Sequence, residues 1–471
     1  MESRTVRLLR LAAISIVLGI GVVEADRAAG AADPQASVGS EKEGPALRFE
    51  FPDMKIGVAE YDEGPTGTTV FYFPEAVKGA VDVRGGASGD VNAAALMDSY
   101  DAKMVQAVVF SGGSWYGLSA ATRVANGIKD LKTAAGDVDF VAGVVGAIIY
   151  DVGGRRFSRV TPDDRLGKAA LNDAREGWFP LGARGAGRFA MQGIYYRRGE
   201  GADTYANWPH SGQGGAVRAI GPTWIGVFTV VNALGTIVDR SGRVVRCKRN
   251  SAEACPLEAD RLAAFAPIGG SARGRGGPTG NTTLTLVVTN QKLPYSALRR
   301  LAIQVHGSMN RAIQPFATEE DGDVLYAVTT DEVDNESLSP IDLGVLASEL
   351  AWDAILSSVP PLPPTPVASK TKPDPNALAK FRGSYGFYGG GELVVGLDAG
   401  TLSAEFKGKG RIYFDPGRTY RLAAAQDGSF VLESAARDVV RFDGSDGTIT
   451  GLTMNPGPWA IRAARTTGTA Q

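Results

Sequence analysis

Residues 277–290 read GPTGNTTLTLVVTN. A glycine- and arginine-rich stretch, GGSARGRGG at 269–277, runs into Asn281 and then into a β-branched run that starts at Thr282. Alternating threonine, leucine and valine over such a run predict a buried strand. A hydroxyl at a loop-to-strand junction is placed to attack the carbonyl just before it. The ester so formed hydrolyses and leaves threonine with a free α-amine. That amine has a reference pKa of about 7.7–8.0, so much of it is neutral near working pH. It can serve as general base for the hydroxyl of its own residue. The stretch is therefore both a strand signal and a candidate nucleophile. A Gly-Asn-Thr before a strand is also an ordinary turn, so the motif decides nothing by itself.

Further runs of the same kind lie on either side: TTVFYF (68–73), MVQAVVF (104–110), FVAGVVGAIIY (140–150), WIGVFTVVN (224–232) and DVLYAVTT (323–330). Between them LSAATRVANGI (118–128), SALRRLAIQVHGSMNRAI (296–313) and IDLGVLASELAWDAILSSV (341–359) carry helical apolar spacing. Buried strands mixed with amphipathic helices predict a layered α/β or α+β domain over 46–357. Residues 358–375, centred on PPLPPTP, predict a semi-rigid linker. From 376 to 471 short strand candidates alternate with the turn signals DAG, GKG, DPG, QDGS, DGSDG and NPGP. They predict a small all-β meander, barrel or sandwich with no cluster of chemistry-bearing residues. Residues 1–31 combine Arg4, Arg7 and Arg10 with an apolar stretch at 11–23 and small residues around Ala29. This reads as a signal peptide, and so as a periplasmic or secreted protein, or else as a retained anchor. Residues 32–45 are polar and read as a flexible lead-in.

At 471 residues, the chain is longer than one core comfortably supports. Its apolar share of 44% and charged share of 21% are ordinary for a globular protein, while 61 glycines imply many tight turns. A net charge of -2 gives no support for a nucleic-acid or anionic-membrane partner. Cys247 and Cys255 are the only cysteines and either close a small loop in an oxidising compartment or stay reduced. They are too few for a zinc site, so no metal is expected. Only His210 and His306 are available for a histidine-based triad. His306 lies beside a helical stripe of Leu298, Leu301, Val305 and Met309, and His210 lies in the loop NWPHSGQGG without a helix or strand to hold it. A base other than histidine is required, and an N-terminal amine on Thr282 supplies one.

Several motifs then resemble one family together. GNTTLTLVVTN (280–290) and QVHGSMNRAIQPFATEEDGDVLYAVTTDE (304–332) are joined by DVRGGASG (82–89), VVFSGGSWYGLSAATRV (108–124), IIYD (148–151) and VVNALGTIVDRSG (230–242). They closely resemble the endo-type 6-aminohexanoate (nylon) oligomer hydrolases, within the wider family of L-aminopeptidase/D-Ala-esterase and β-aminopeptidase enzymes. The resemblance covers about 46–357. It implies a four-layer αββα sandwich, cleavage between Asn281 and Thr282 into α and β chains, a homo-oligomer of processed αβ units, and no cofactor. It also implies roles. Thr282 is the nucleophile, Asp321 and Asp323 orient its amine and hydroxyl, and Asn232 helps to form the oxyanion hole. Tyr150 either lines the site or fills the core at a strand end. One departure stands out: where the nylon-oligomer enzymes have a lysine after a GAG-containing stretch, counting from Gly185-Ala186-Gly187 places Ile194. The activity so implied is hydrolysis of small peptides or linear amide oligomers. The alternative is an inactive envelope binding protein that keeps the fold.

Overall fold

The computed structural model describes residues 34–39, 44–97, 103–153, 155, 158–193, 208–257, 259–260, 263, 281–388, 390–408, 417–434 and 437–466. The signal-peptide reading and Ile194 lie outside the described residues. Among those described, no helix is long and apolar enough to cross a membrane.

The first part of the chain builds one eleven-stranded mixed sheet. Its principal strands are β1 (Ala36–Val38), β2 (Lys55–Tyr61), β3 (Thr66–Val83), β4 (Lys103–Ser111), β5 (Val144–Ile148), β6 (Gln213–Ile220), β7 (Thr223–Asn232), β8 (Thr282–Gln291) and β9 (Val324–Val333). The order β6-β7-β8-β9-β3-β4-β5 is antiparallel except for the β8–β9 and β4–β5 pairs. β1 pairs with β2, so residues 36–38 of the expected flexible lead-in are an edge strand instead. The register joins Ala36 to Tyr61, and that backbone pairing outweighs the polar composition of the segment.

β3 is 18 residues long and serves two neighbourhoods. Its first half lies between β2 and β4, and its second half lies between β9 and β4. Alternation along the strands then sorts side chains into separate cores. Phe71, Phe110, Phe228, Val230, Leu284, Leu286 and Tyr326 belong to one cluster that contains no helix residue from the four long helices. Val227, Val287, Leu325 and Ala327, the alternate positions, pack with helices α3 (Tyr295–Ser308) and α4 (Pro340–Ser357). Val70, Ala107 and Val109 pack with α1 (Ser119–Ala134) and α2 (Asp164–Asn172).

The helices begin where their sequences allow. Ser339 and Asp342 form a capping box before α4, with Pro340 in its first turn. The Asp163 carboxylate accepts the Leu166 N–H at the start of α2. On α3, Leu298, Leu301, Ala302 and Val305 form the buried stripe.

After the proline-rich stretch, eight strands close a barrel: β10 (Gly383–Phe387), β11 (Glu392–Asp398), β12 (Thr401–Lys407), β13 (Thr419–Ala424), β14 (Phe430–Leu432), β15 (Val439–Ser445), β16 (Thr448–Met454) and β17 (Ile461–Thr466). Pairing of β10 with β17 removes the open edges. Inward positions alternate, as in Leu393 and Val395 on β11 and Leu402, Ala404 and Phe406 on β12. β10 escapes notice in the sequence because Gly383 and Gly386 dilute its pattern. The short apolar run RIYF at 411–414, one of the strand candidates between the turn signals, lies outside the described residues. The chain is thus a mixed α/β domain followed by a closed β-barrel.

Candidate active site

Thr282 opens β8 and is paired across the sheet with Asn232, the last residue of β7. Both are buried, at 2% exposure each, and so is Asn281. The chain is continuous here, so Thr282 carries a peptide N–H rather than an amine. Its hydroxyl donates to the Asn281 carbonyl at 2.6 Å. The same oxygen accepts the Gly322 N–H at 2.5 Å. The peptide carbonyl between Asn281 and Thr282 is therefore gripped by two donors, one of them the hydroxyl of the next residue. Asn281 also bridges to Asp321 in parallel fashion, and its N–H donates to the Glu320 carbonyl at 3.1 Å.

Gly322 has a steric reason to be glycine. A Cβ there would lie 2.6 Å from Thr282 Oγ1 and 2.8 Å from the Ala87 carbonyl oxygen. The motif at 82–89 explains itself in the same place. Arg84 and Gly85 N–H groups both donate to the Asp323 carbonyl, Ala87 N–H donates to Asp321, and Gly86 N–H donates to Thr318. A Cβ on Gly85 would collide with the Asp321 carbonyl at 2.3 Å. Two glycines thus let one loop lie flat against the acidic one.

Asp321 and Asp323 flank Gly322 and are almost fully buried. Asp321 accepts the Thr318 hydroxyl at 2.8 Å, the Thr318 N–H at 3.1 Å and the Leu234 N–H at 3.3 Å. Asp323 accepts the Thr283 N–H at 2.6 Å and the Ala317 N–H at 3.1 Å. Among the described residues neither carboxylate has a cationic partner. Burial pushes the Asp321 carboxyl above its ordinary range, against the pull of its Thr318 and Leu234 bonds. Burial first and the charge of Asp321 second push Asp323 well above that range. In the uncut chain Asp321 accepts from Thr318 and Leu234 and Asp323 from Thr283 and Ala317, while the Thr282 hydroxyl is turned to Asn281.

Asn232 is held at both ends of its amide. Its Oδ1 accepts the Met191 N–H at 3.0 Å, and its Nδ2 donates to the Tyr150 backbone carbonyl at 3.3 Å. Tyr150 thus meets Asn232 through the main chain. An amide nitrogen has two hydrogens, so one remains for another acceptor.

Two groups escape a reading of the sequence. Asp151 is fully buried with Arg155, at 2.9 Å, and also accepts the Thr66 hydroxyl and the Gly113 N–H, both at 2.8 Å. It pins the Ser-Gly-Gly-Ser turn, where Gly113 has φ 81° and a Cβ on Gly112 would strike Asp151. His210, expected in an unsupported loop, is completely buried and bridges to Met191. Burial first, then the charge of Arg249, hold its pKa well below the usual value, so it is neutral. His306 is buried too, with Nδ1 at 2.8 Å from Asp82, away from Thr282's hydrogen bonds. Cys247 and Cys255 are disulfide-bonded.

Known proteins share this sequence pattern. The profile of peptidase family S58 matches residues 51–359. A 6-aminohexanoate-oligomer endohydrolase of Paenarthrobacter ureafaciens is 38% identical over 347 residues, covering 69% of this chain and 88% of that protein. An uncharacterized aminopeptidase of Mycobacterium bovis is 32% identical over 287 residues, covering 60% of this chain and 77% of that protein. Among solved structures, a β-aminopeptidase of Burkholderia sp. superposes with a TM-score of 0.47 at 15% identity, covering 67% of this chain and 88% of that one.

Proposed function

The chain belongs to peptidase family S58, whose members hydrolyse amide bonds, and from that premise we propose that it cuts itself between Asn281 and Thr282 and then uses the freed Thr282 as an N-terminal nucleophile. The observation that carries this reading is the Asn281 carbonyl, held by the Thr282 hydroxyl and the Gly322 N–H at 2.6 and 2.5 Å.

The self-cleavage runs as an N-to-O acyl shift. Thr282 Oγ bonds to the Asn281 carbonyl carbon, and the developing oxyanion is met by the Gly322 N–H. A fixed backbone donor aimed at such an oxygen contributes on the order of 3 kcal/mol. The C–N bond breaks, the nitrogen takes up a proton, and an ester joins Asn281 to Thr282. Water hydrolyses the ester, leaving an Asn281 carboxylate and a threonine with a free amine. Asp323, which accepts the Thr283 N–H and is raised in pKa, is the buried group assigned to relaying the hydroxyl proton.

In the cut enzyme the Thr282 amine accepts the hydroxyl proton while Oγ attacks the substrate amide. The second hydrogen of Asn232 Nδ2 faces the charge on the substrate oxygen. Tyr150 serves through its carbonyl, which fixes that amide. The leaving amine takes the proton, and water releases the acyl group. Asp321 and Asp323 hold the ammonium formed while Oγ attacks, before its proton passes to the leaving amine.

The substrate class we propose is small peptides or linear amide oligomers with unhindered amides. The similarity to the 6-aminohexanoate-oligomer endohydrolase supports the second. We further propose a four-layer αββα arrangement. The separate clusters under α1/α2 and α3/α4 support it, as does the Tyr326 hydroxyl, which leaves β9 to reach the Gly146 carbonyl on β5. Export to the periplasm or medium, and assembly of processed αβ units, complete the proposal.

Denaturing intact-mass spectrometry with N-terminal sequencing tests it. Two chains are expected, one starting at Thr282, with Thr282→Ala leaving one uncut chain and no amide hydrolysis above background. A wild-type chain that stays whole over days would refute self-cleavage and favour an inactive binding protein.

A further inference from the structure

The β-barrel lies beyond the family match at 51–359, yet its core continues into the catalytic domain. Phe189, Met191 and Trp208 belong to the same buried cluster as Tyr385, Leu393, Leu452 and Ile461 of the barrel. Trp459, between β16 and β17, is completely buried and stacks on His210 at 5.1 Å between ring centres and 18° between planes. Phe189 meets the same imidazole edge-on at 4.8 Å. Arg249 and Asp438 form an ion pair at 3.2 Å across this boundary with both side chains at 0% exposure. The Arg188 guanidinium donates to the Pro458 carbonyl.

Interfaces between loosely tethered domains are polar and wet. A buried tryptophan, a shared apolar core and a fully buried ion pair instead mark a junction formed as part of folding.

The strand-like segment under this junction leads to the active site. Met191 bridges to His210, and Ser211 N–H and Gln192 N–H donate to the Ala190 and Pro209 carbonyls at 3.1 Å each. The Met191 N–H fixes Asn232 Oδ1. That bond decides which end of the amide faces inward, because a flipped amide would set two N–H donors against one another. The path is therefore short: Trp459 on His210, the Met191 side chain in the barrel core, the Met191 N–H on Asn232, and Asn232 opposite Thr282.

We propose that the barrel is a positioning domain for the oxyanion-hole amide, and that Trp459 is a positioning residue acting through the Met191 segment. The proposal rests on the role given above to Asn232. A displacement of about 1 Å at a catalytic donor can cost on the order of 10²-fold in rate, so loosening this path reduces turnover more than binding. The neutral His210 ring suits this position, because it fills the space between Phe189 and Trp459 without carrying charge into the core.

Steady-state hydrolysis of an alanyl p-nitroanilide and of a 6-aminohexanoate oligomer by the full, processed protein tests the proposal. Trp459→Ala is expected to lower kcat about tenfold with KM within about twofold, and Trp459→Phe, which keeps a ring on His210, to restore most of kcat. In an Asn232→Ala background Trp459→Ala should change kcat by less than about twofold, because the two act in one path. Should Trp459→Ala not fold, Trp459→Leu keeps apolar volume without the stack and carries the same expectation. Wild-type kcat in the folded variant, or losses that multiply in the double variant, overturns the proposal. A fully active Asn232→Ala overturns the role of Asn232 itself and the proposal with it. An impaired Asn232→Ala beside an unaffected Trp459→Ala overturns the positioning role alone.

Discussion

Asp151 and Asp323 are both buried, and both hold a loop by accepting backbone N–H groups. Asp151 receives Gly113, and Asp323 receives Thr283 and Ala317. Their charges are handled differently. Asp151 has Arg155 at 2.9 Å, with both side chains at 0% exposure. Asp323 has a second carboxylate, Asp321, for company, and among the described residues no cation reaches either. Taking a carboxylate out of water without a partner is costly, and a protein normally avoids it or neutralises the group. The difference has a chemical sense. Under the proposed self-cleavage an α-amine would form at Thr282, one residue before the N–H that Asp323 accepts, so the missing cation would be made by the reaction itself. The Asp151 site has its cation on folding, whereas on the proposed mechanism the Asp321/Asp323 site would gain one only after cleavage.

The largest expected contrast follows from neutralising each acid in turn. Asp323→Asn should slow self-cleavage and turnover on the order of 10²–10³-fold while leaving the fold intact. Asp151→Asn removes one side of a buried ion pair, so its cost should appear as stability, about 3 kcal/mol. Its kcat in the folded fraction should stay within a few-fold of wild type. Denaturant titration and single-turnover cleavage rates, measured on both variants, check this. Equal catalytic losses in the two would erase the distinction.

A pH titration of the uncut chain sharpens it. In Thr282→Ala no amine forms, so the acidic pair stays without its cation. The folded chain binds the Asp323 proton more tightly than the unfolded chain does, since burial and Asp321 raise the folded value. Stability is then complete below the unfolded carboxylate value, about 4, and falls as pH rises through the raised folded value. The slope approaches about 1.4 kcal/mol per pH unit for one proton. Adding Asp323→Asn to the uncut chain should flatten that slope and raise stability near neutral pH. Denaturation midpoints between pH 4 and pH 8 give the answer, and a flat profile for Thr282→Ala would remove the case for an uncompensated acid.

Much of the sheet is legible in the sequence because its strands are long β-branched runs. The strand from Thr282 announces itself through TTLTLVV, and Asp-Gly-Asp stands out by composition just before β9. What brings them together is not legible. The pairing of Asn232 with Thr282 is a register between distant strands, and Gly322 looks like any turn glycine until its N–H is seen on the Asn281 carbonyl. Asp151 and Arg155 look like an ordinary surface pair at helical spacing, since burial belongs to the tertiary fold. His210 is misread for the same reason: its support comes from Phe189 and Trp459, which lie on different segments. The barrel itself is visible as alternating strands and turns, but its buried ion pair joins Arg249 to Asp438 across most of the second half of the chain.

The smallest expected effect concerns Tyr150, which family likeness places among the site residues as a side chain. Its hydrogen bond to the site is a main-chain one: the Tyr150 carbonyl accepts Asn232 Nδ2 at 3.3 Å. The ring packs beside Gly153, where a Cβ would come within 2.8 Å of Tyr150 Cε1. Removing the hydroxyl leaves that carbonyl where it is. Tyr150→Phe should therefore change kcat by less than about threefold, since a hydroxyl that makes no transition-state bond contributes little. The comparison with Asp323→Asn then separates a residue needed for its backbone from one needed for its charge. A loss of about a hundredfold in Tyr150→Phe, with KM unchanged, would mean that the phenol bonds the transition state directly, and the oxyanion site would have to be redrawn with the ring hydroxyl beside Asn232.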